Sequence, residues 1–400
     1  MSRTFDLAVI GAGAAGLVAG MSAARRGASV VVLERLPRSG KKLLATGGGR
    51  CNLLNDGLSA SAYSSTHPGF VSSILDRFGR ADIRAFFEGL GLRLQADEVG
   101  RVYPATNQAA SVLKVLLLET ARLGVAIENG FDVHRIEMAG GRFRISSVDG
   151  RRFESDAAVL AGGGRSYPAL GSNGSCYELA ASFGHRIVTP VPSAVPLLVK
   201  SRLCHALQGQ RLRVRAESRV GGQTCQKAEG ELLFAQYGLS GTAILDVSES
   251  LSVALNREGR SDASVVVDFV PFLSEESLRA EISRRSTGGW APADLAAGLL
   301  PEKFSPILPH FVGNDVRGAE KDLAASLKAL EFPVQGTRGW NEAEFTSGGV
   351  DVREVKAGTL ESKLRRGLYF AGEILDVQGG RGGFNLAWAW SSGFVAGLRE

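Results

Sequence analysis

The stretch Asp6-Leu7-Ala8-Val9-Ile10-Gly11-Ala12-Gly13-Ala14-Ala15-Gly16 decides the fold. Residues 6–10 form a short apolar run that suits a buried parallel strand. Residues 17–26 are an alanine-rich helical stretch ended by Gly27, and residues 29–33 read as a second strand ending at Glu34. Each glycine has its own task. Gly11 permits a tight turn, Gly13 lets the backbone approach a pyrophosphate, and Gly16 lets helix pack closely on strand. The helix start, with Ala14 and Ala15, offers free N–H groups and a positive dipole end to phosphates. Glu34 lies eighteen residues after Gly16, where an acid accepts ribose hydroxyls. Arg35 follows it. Strand, glycine turn, helix, strand and acid together predict a dinucleotide site.

Three further glycine-rich segments work outward from this unit. The first is Gly40-Lys41-Lys42-Leu43-Leu44-Ala45-Thr46-Gly47-Gly48-Gly49-Arg50-Cys51-Asn52. Glycines beside Arg, Cys and Asn suit a loop pressed on a planar or anionic ligand. Gly48, Gly49 and Asn52 are candidate contacts, and Lys42 and Arg50 are candidates to neutralise anionic reduced flavin or substrate. Cys51 has no nearby cysteine with which to form a redox disulfide, so packing is its favoured role. The second is Gly162-Gly163-Gly164-Arg165-Ser166-Tyr167-Pro168, after a buried strand. It reads either as a chain crossing near the nucleotide or as a structural turn. It is not a second complete fingerprint. The third runs from Tyr369 to Asp376 and on through Gly379, Gly382, Gly383, Phe384 and Asn385 into a helix. A strand ending in an acid, followed by glycines opening a helix, can hold ribitol and the edge of a flavin. Gly372, Glu373 and Asp376 lie in it. This narrows the dinucleotide to non-covalent FAD.

The rest of the chain reads as an interruption. Residues 70–90 and 109–123 have helical spacing; 125–127, 132–137, 142–148, 152–155 and 157–160 read as strands, with Val133 a candidate cofactor contact. After Pro190, Pro192 and Pro196 come strands at 212–216, 231–234 and 264–269. Helices follow from Ser274 as N-cap, at 294–300 and at 320–330. The chain returns through 345–350 to a strand at 368–371 and a helix from Asn385.

Composition is that of an ordinary globular enzyme: 400 residues, 44% hydrophobic, 22% charged, with 51 glycines in clusters rather than a fixed period. The charge of +5 is compatible with an anionic partner and is weak evidence for nucleic acid. The four cysteines have no CxxC spacing, so neither a zinc site nor a disulfide framework is expected. No membrane span or cleaved leader is expected, and so sparse a set of cysteines reads as cytosolic reduced thiols, which makes the expected location cytoplasmic.

Thr46-Gly47-Gly48-Gly49-Arg50-Cys51-Asn52, the insert segments 231–234 and 238–241, Thr359-Leu360-Glu361-Ser362-Lys363 and the series from Gly372 to Asn385 resemble a bacterial family of NAD(P)/FAD-dependent oxidoreductases. It includes aminoacetone-oxidase-like and bile-acid-reductase-like flavoproteins. The resemblance spans nearly the whole chain. It implies an α/β fold: a glutathione-reductase-type Rossmann FAD domain (1–189 and 345–400), interrupted by a β-barrel-like insert (190–272 and 331–344) and a small helical insert (273–330). It also implies that Gly11, Gly13, Gly16 and Glu34 bind the ADP half. Lys42, Arg50, Cys51 and Asn52 would lie on the flavin side, and Glu373, Asp376, Gly383, Phe384 and Asn385 on ribitol and ring. Two departures stand out. Where the family reads F-T-H-x-G-x-S-G-P, this chain has Phe234-Ala235-Gln236-Tyr237-Gly238-Leu239-Ser240-Gly241-Thr242. Gln236 cannot replace a histidine as proton donor, which leaves Tyr237 as a candidate. Where the family reads G-D-G, it has Gly174-Ser175-Cys176.

The function expected is an FAD-dependent oxidoreductase on an unidentified small molecule, with NADPH or NADH as donor. One alternative is a flavoenzyme reducing uridine in ribosomal RNA, motivated by Arg211, Arg213, Arg215 and Arg219, although these also read as one solvated strand face. Another is a non-enzymatic flavin sensor or scaffold. The sequence leaves the oligomeric state open.

Overall fold

Five parallel strands end at one edge, and everything at the site hangs from that edge. A computed structural model describes residues 3–67, 69–304, 306–307 and 319–399. The strands lie in the order Ala126–Asn129, Val30–Glu34, Arg3–Ile10, Arg152–Leu160 and Leu368–Phe370, all parallel. Val30–Glu34 is buried along its whole length, as expected of a strand covered on both faces. Ile10 pairs with both Leu33 and Leu160, and Leu160 with Phe370. The residues that leave these ends are Gly11, Glu34, Ala161 and Ala371, so the three glycine segments start side by side. On the side of Leu368–Phe370, the N-terminal half of Arg152–Leu160 pairs with Arg142–Ser147, which forms an antiparallel hairpin with Val133–Ala139.

The helix Ala14–Ala24 packs against the C-terminal helix Phe384–Leu398 through small residues. A Cβ at Gly393 would lie 2.4 Å from the carbonyl oxygen of Ala15, and one at Gly397 would lie 2.4 Å from that of Ala19. Both pairs are spaced by four residues, one helical turn, so the two backbones touch along a stripe. Trp388 and Trp390 are buried on the same helix, and Trp390 donates to the carbonyl of Leu53 at 2.9 Å.

The chain divides into two compact units, Met1–Pro190 with Phe345–Glu400, and Val191–Glu344. In the second, seven strands run in the order Leu330–Pro333, Ala263–Asp268, Arg211–Val220, Gln223–Ala235, Gly238–Ser240, Leu197–Leu198, Gly336–Thr337. The two end strands are joined by Val334 and Gln335, whose amides donate to the carbonyls of Ala263 and Leu198. The strands therefore circle back on themselves, as in a barrel. Phe234, Phe269, Phe304 and Phe332 fill the core of this unit together with Leu278, Ile282, Leu323 and Leu327 from its helices.

Some elements differ from the sequence reading. Residues 70–90 form two helices, Phe70–Leu75 and Arg80–Gly89. Gly79 separates them; its amide donates to Asp82 at 2.9 Å, which starts the second helix. The strands expected at 152–155 and 157–160 are one strand, Arg152–Leu160. Residues 294–300 are not an α-helix: a 3₁₀ turn at Pro292–Asp294 is followed by turns around Gly298, whose φ of +73° is the left-handed conformation that stops a helix. The helix Glu275–Thr287 starts as expected, with the Ser274 hydroxyl accepting from the Ser277 amide. The helix expected at 320–330 is Ala319–Lys328. Of the expected helical insert, residue 305 and residues 308–318 lie outside the described residues. The helix Thr242–Ser252 has no counterpart in the sequence reading.

Candidate functional site

The glycine turn is built by close contact. Gly11 has φ +106°, and a Cβ there would sit 2.6 Å from the Ala161 carbonyl oxygen and 3.0 Å from Gly162 Cα. A Cβ on Gly16 would lie 1.8 Å from the Gly11 carbonyl oxygen. Gly13 is the opposite case, with nothing within 4 Å of the position its Cβ would take. The amides of Ala14, Ala15 and Gly16 have no acceptor among the described residues, as first-turn amides do unless a ligand takes them. The buried Glu34 carboxylate accepts from the Ala12 amide at 2.8 Å and the Leu36 amide at 2.9 Å, one on each oxygen. It braces both sides of the turn and keeps a lone pair on each oxygen for a hydroxyl. Arg35 Nη1 is buried without a hydrogen-bond partner. Val133 is buried two residues on from Phe131, whose amide donates to the Glu34 carbonyl at 2.8 Å. Gly162 lies over Cys176, whose sulfur would be 2.3 Å from a Cβ there. Burial pushes that thiol up to about 12.

A polar cluster beside the turn gathers around Lys42 and Glu373. Lys42 Nζ is 2.7 Å from Glu373 Oε2 and 2.6 Å from Ser166 Oγ. Glu373 also accepts from the Thr346 amide (2.9 Å), the Ser166 hydroxyl (3.2 Å) and the Gly164 amide (3.3 Å). Gly372 has φ +80°, and a Cβ there would come within 2.9 Å of Ala15 Cβ. Glu373 therefore sits next to the glycine turn. The amide of Gly372 donates to Ser392 and its carbonyl accepts from Trp388. Asp376 is buried, with its amide on the Val350 carbonyl at 3.0 Å.

Gly47, Gly48 and Gly49 all have positive φ, and Gly48 faces open space. Cys51 is fully buried with φ +60°. Burial pushes its thiol up to about 12, against a smaller opposing effect of the Thr46 hydroxyl, so it is neither acid nor nucleophile near neutral pH. Asn52 Oδ1 is buried without a hydrogen-bond partner and faces Gly383, where a Cβ would lie 2.8 Å away. Arg50 is exposed, with its guanidinium 5.0 Å from the Tyr103 ring centroid. The side chain of Asn385 closes on its own loop: it accepts from the Gly379 amide at 2.9 Å and donates to the Gly379 carbonyl at 2.7 Å. Phe384 is half-buried, and its carbonyl accepts from Tyr63 at 2.8 Å. The Gly382 carbonyl accepts from Asn55 at 2.8 Å.

The first unit thus brings together the glycine turn, Glu34, Lys42, Asn52, Gly162, Gly163, Glu373 and Gly383. Tyr237 belongs to the second unit, where the Arg338 guanidinium lies 4.8 Å from its ring centroid. Sequence reasoning missed Ser166, Thr346, Asn55 and Tyr63. Single hydroxyls and amides far apart in the chain carry no spacing signal. The open face over Gly13, the first-turn amides without acceptors and the orphaned Asn52 oxygen are what a long cofactor with a pyrophosphate and a polar ring edge requires.

The HI0933-like protein Rossmann domain model matches residues 5–399. The chain belongs to this family. It is 36% identical over 98% of its length to the 3-dehydro-bile acid delta(4,6)-reductase of Clostridium scindens, covering 98% of that protein. It is 30% identical over its whole length to the ribosomal RNA dihydrouridine synthase of Haemophilus influenzae, covering 99% of it. The corresponding Escherichia coli protein is 29% identical over 98% of the chain, with 96% of that protein covered. The chain is an FAD-dependent oxidoreductase of mixed α/β fold with a Rossmann sheet.

The arginine run that motivated an RNA substrate is paired. Arg211 meets Glu231 at 2.8 Å, Arg213 meets Glu229 at 3.0 Å, and Arg219 meets Glu217 at 2.7 Å; Arg215 is 3.6 Å from Glu229. Exposed pairs of this kind stabilise little, and the four arginines share three glutamates, since Glu229 faces both Arg213 and Arg215. Among the described residues no helix is long and apolar enough to cross a membrane.

Proposed function

We propose that this protein reduces a ring carbon–carbon double bond in a small molecule, taking electrons from NADPH or NADH. Bound FAD would supply the two-electron transfer. The amides of Gly13, Ala14, Ala15 and Gly16 would hold the pyrophosphate, and Glu34, Arg35 and Val133 the adenosine. Gly48, Gly49, Asn52, Gly162, Gly163, Gly372, Glu373, Asp376, Gly382, Gly383 and Phe384 would surround ribitol and ring. Asn385 would act by holding the Gly379–Gly380 loop in shape. Lys42 would present positive charge to the reduced cofactor, while Arg50 would meet an anionic substrate. Tyr237, under Arg338, is the proposed proton donor, since Gln236 cannot serve and the Cys51 thiol is too weak an acid.

The observation that carries this reading is the open edge with unpaired backbone donors beside Gly13 and the unpaired acceptor Oδ1 of Asn52. The choice of reaction rests on the relatives' names: both a delta(4,6)-reductase and a dihydrouridine synthase saturate a ring double bond. The small molecule is favoured because the relative at 36% identity acts on one, and because each arginine of the run already has a carboxylate partner. Protein reduced anaerobically with NADPH is mixed with a 3-oxo-4-ene steroid and, separately, the dihydrouridine content of ribosomal RNA is measured in a deletion strain. Reoxidation by the steroid with unchanged dihydrouridine supports the proposal; loss of dihydrouridine assigns the substrate to RNA instead. We also propose a cytoplasmic location, in keeping with four free cysteines, and three domains bounded as the sequence suggests, although the helices share a core with the barrel strands.

A further inference from the structure

Thr346 is almost fully buried and sits at the centre of the polar network that holds Glu373. Its hydroxyl accepts from two consecutive amides, Arg165 at 2.8 Å and Ser166 at 3.2 Å, while its own amide donates to Glu373 Oε1 at 2.9 Å. A Cβ on Gly164 would lie 2.3 Å from the Thr346 hydroxyl and 3.0 Å from Glu373 Cδ. The glycine there exists so that these groups can meet. Gly349, three residues on, has φ +142°, and a Cβ would come within 2.4 Å of the Ile374 carbonyl oxygen. The strand Phe345–Val350 therefore lies flat against the Gly372–Ile374 turn. Glu373 receives four donors in all: the Thr346 and Gly164 amides, the Ser166 hydroxyl and Lys42. A carboxylate has about four acceptor positions, so these donors saturate it. Lys42 spends one N–H on Glu373 and one on Ser166. One N–H of the ammonium is left, and its direction is fixed by the other two.

We propose that Thr346 and Ser166 are positioning residues that aim the remaining Lys42 N–H at the flavin end of the cofactor. The claim rests on the cofactor placement given above. It assigns Glu373 to holding Lys42, so that Glu373 would flank the ribitol without accepting from it. It also means that the glycine crossing at 162–164 and the strand at 345–350 tune a lysine far from both in the chain.

The test uses the holoenzyme of Thr346→Val, Thr346→Ser, Ser166→Ala and Lys42→Met. Three quantities are read: the dissociation constant of FAD by flavin fluorescence, the flavin midpoint potential, and the melting temperature of the FAD-free protein. Thr346→Val keeps the shape but strands two buried amides, so FAD binding weakens about tenfold and the potential drops towards that of Lys42→Met. Thr346→Ser restores both to within about twofold of the wild-type affinity, and Ser166→Ala shifts the potential in the same direction as Thr346→Val. If Lys42→Met moves the potential while Thr346→Val and Ser166→Ala leave it unchanged, the positioning claim is wrong and the cofactor placement stands. If Lys42→Met also leaves it unchanged, the placement itself is wrong. Should Thr346→Val not fold, Thr346→Ser and Ser166→Ala decide on the same readouts.

Discussion

Two glycines three residues apart should fail in opposite ways, and the contrast separates a binding turn from a packing turn. In Gly16→Ala the new methyl would be 1.8 Å from a backbone oxygen, that of Gly11. Backbone cannot step aside as a side chain can, so strand and helix must part. Overpacking of this kind costs about 3 kcal/mol, which lowers the melting temperature of a unit this size by roughly 6–12 °C. In Gly13→Ala the methyl meets no protein atom within 4 Å. The position is the helix N-cap with φ −84°, which alanine adopts freely. The stability change should stay within about 1 kcal/mol. The same methyl occupies the space over the unsatisfied amides, so a phosphate is pushed away from them. Losing one or two charge-assisted amide bonds removes about 3 kcal/mol of affinity, close to a 100-fold rise in dissociation constant. Thermal melts of the FAD-free proteins and fluorescence titration with FAD measure both effects. If Gly13→Ala binds FAD as the wild type does, the reasoning about this turn fails, whatever Gly16→Ala does.

His185 supplies a pH test. Its ring is buried, with Nε2 2.7 Å from Ser362 Oγ and Nδ1 3.3 Å from the Glu354 carboxylate. Burial lowers its pKa and outweighs the upward pull of Glu354. The unfolded chain therefore binds this proton first, so stability is complete above about pH 6.5 and declines as pH falls from there towards the lower folded value. Urea unfolding between pH 8 and pH 5.5 should show this slope in the wild type and a flatter one in His185→Gln; equal slopes refute it. Thiol labelling at pH 8 should modify Cys225 alone in the native protein, since Cys51, Cys176 and Cys204 are buried, and all four after denaturation. Rapid native labelling of Cys51 would contradict its packing role. Replacing Gly393 by valine, which forces a side chain into the Ala15 carbonyl, should destabilise the first unit by at least about 3 kcal/mol; a melt like that of the wild type would overturn the account of the helix stripe.

The parallel edge was legible because its signals are local. A β-branched run, a glycine turn, an alanine-rich helix and an acid fall within about thirty residues, each with a physical reason to be there. The far segment at Gly372–Asn385 was legible for the same cause. Element ends were less so. Periodicity carried one helix through residues 70–90 because Gly79 looks tolerable inside a helix until its amide is seen on Asp82. The 294–300 stretch reads as apolar and helical, but Gly298 turns it. Long-range chemistry was hidden. Spacing makes Glu34 a candidate for ribose, but carries no sign of its bracing of Ala12 and Leu36. Lys42 and Glu373 were each singled out, but their pairing across 331 residues, and the part of Thr346 in it, emerge only when the strands are in place. The partners of the arginine run were hidden too, since Glu229 and Glu231 sit on the neighbouring strand.

Everything proposed above depends on this edge holding a non-covalent FAD that accepts electrons from a nicotinamide. Anaerobic titration of the purified wild-type protein with NADPH, and then NADH, followed in the flavin absorption band, tests it most directly. The expected result is one acid-extractable FAD per chain and complete bleaching by one of the two donors. A protein that takes up no FAD, or whose bound FAD neither donor reduces, would contradict it.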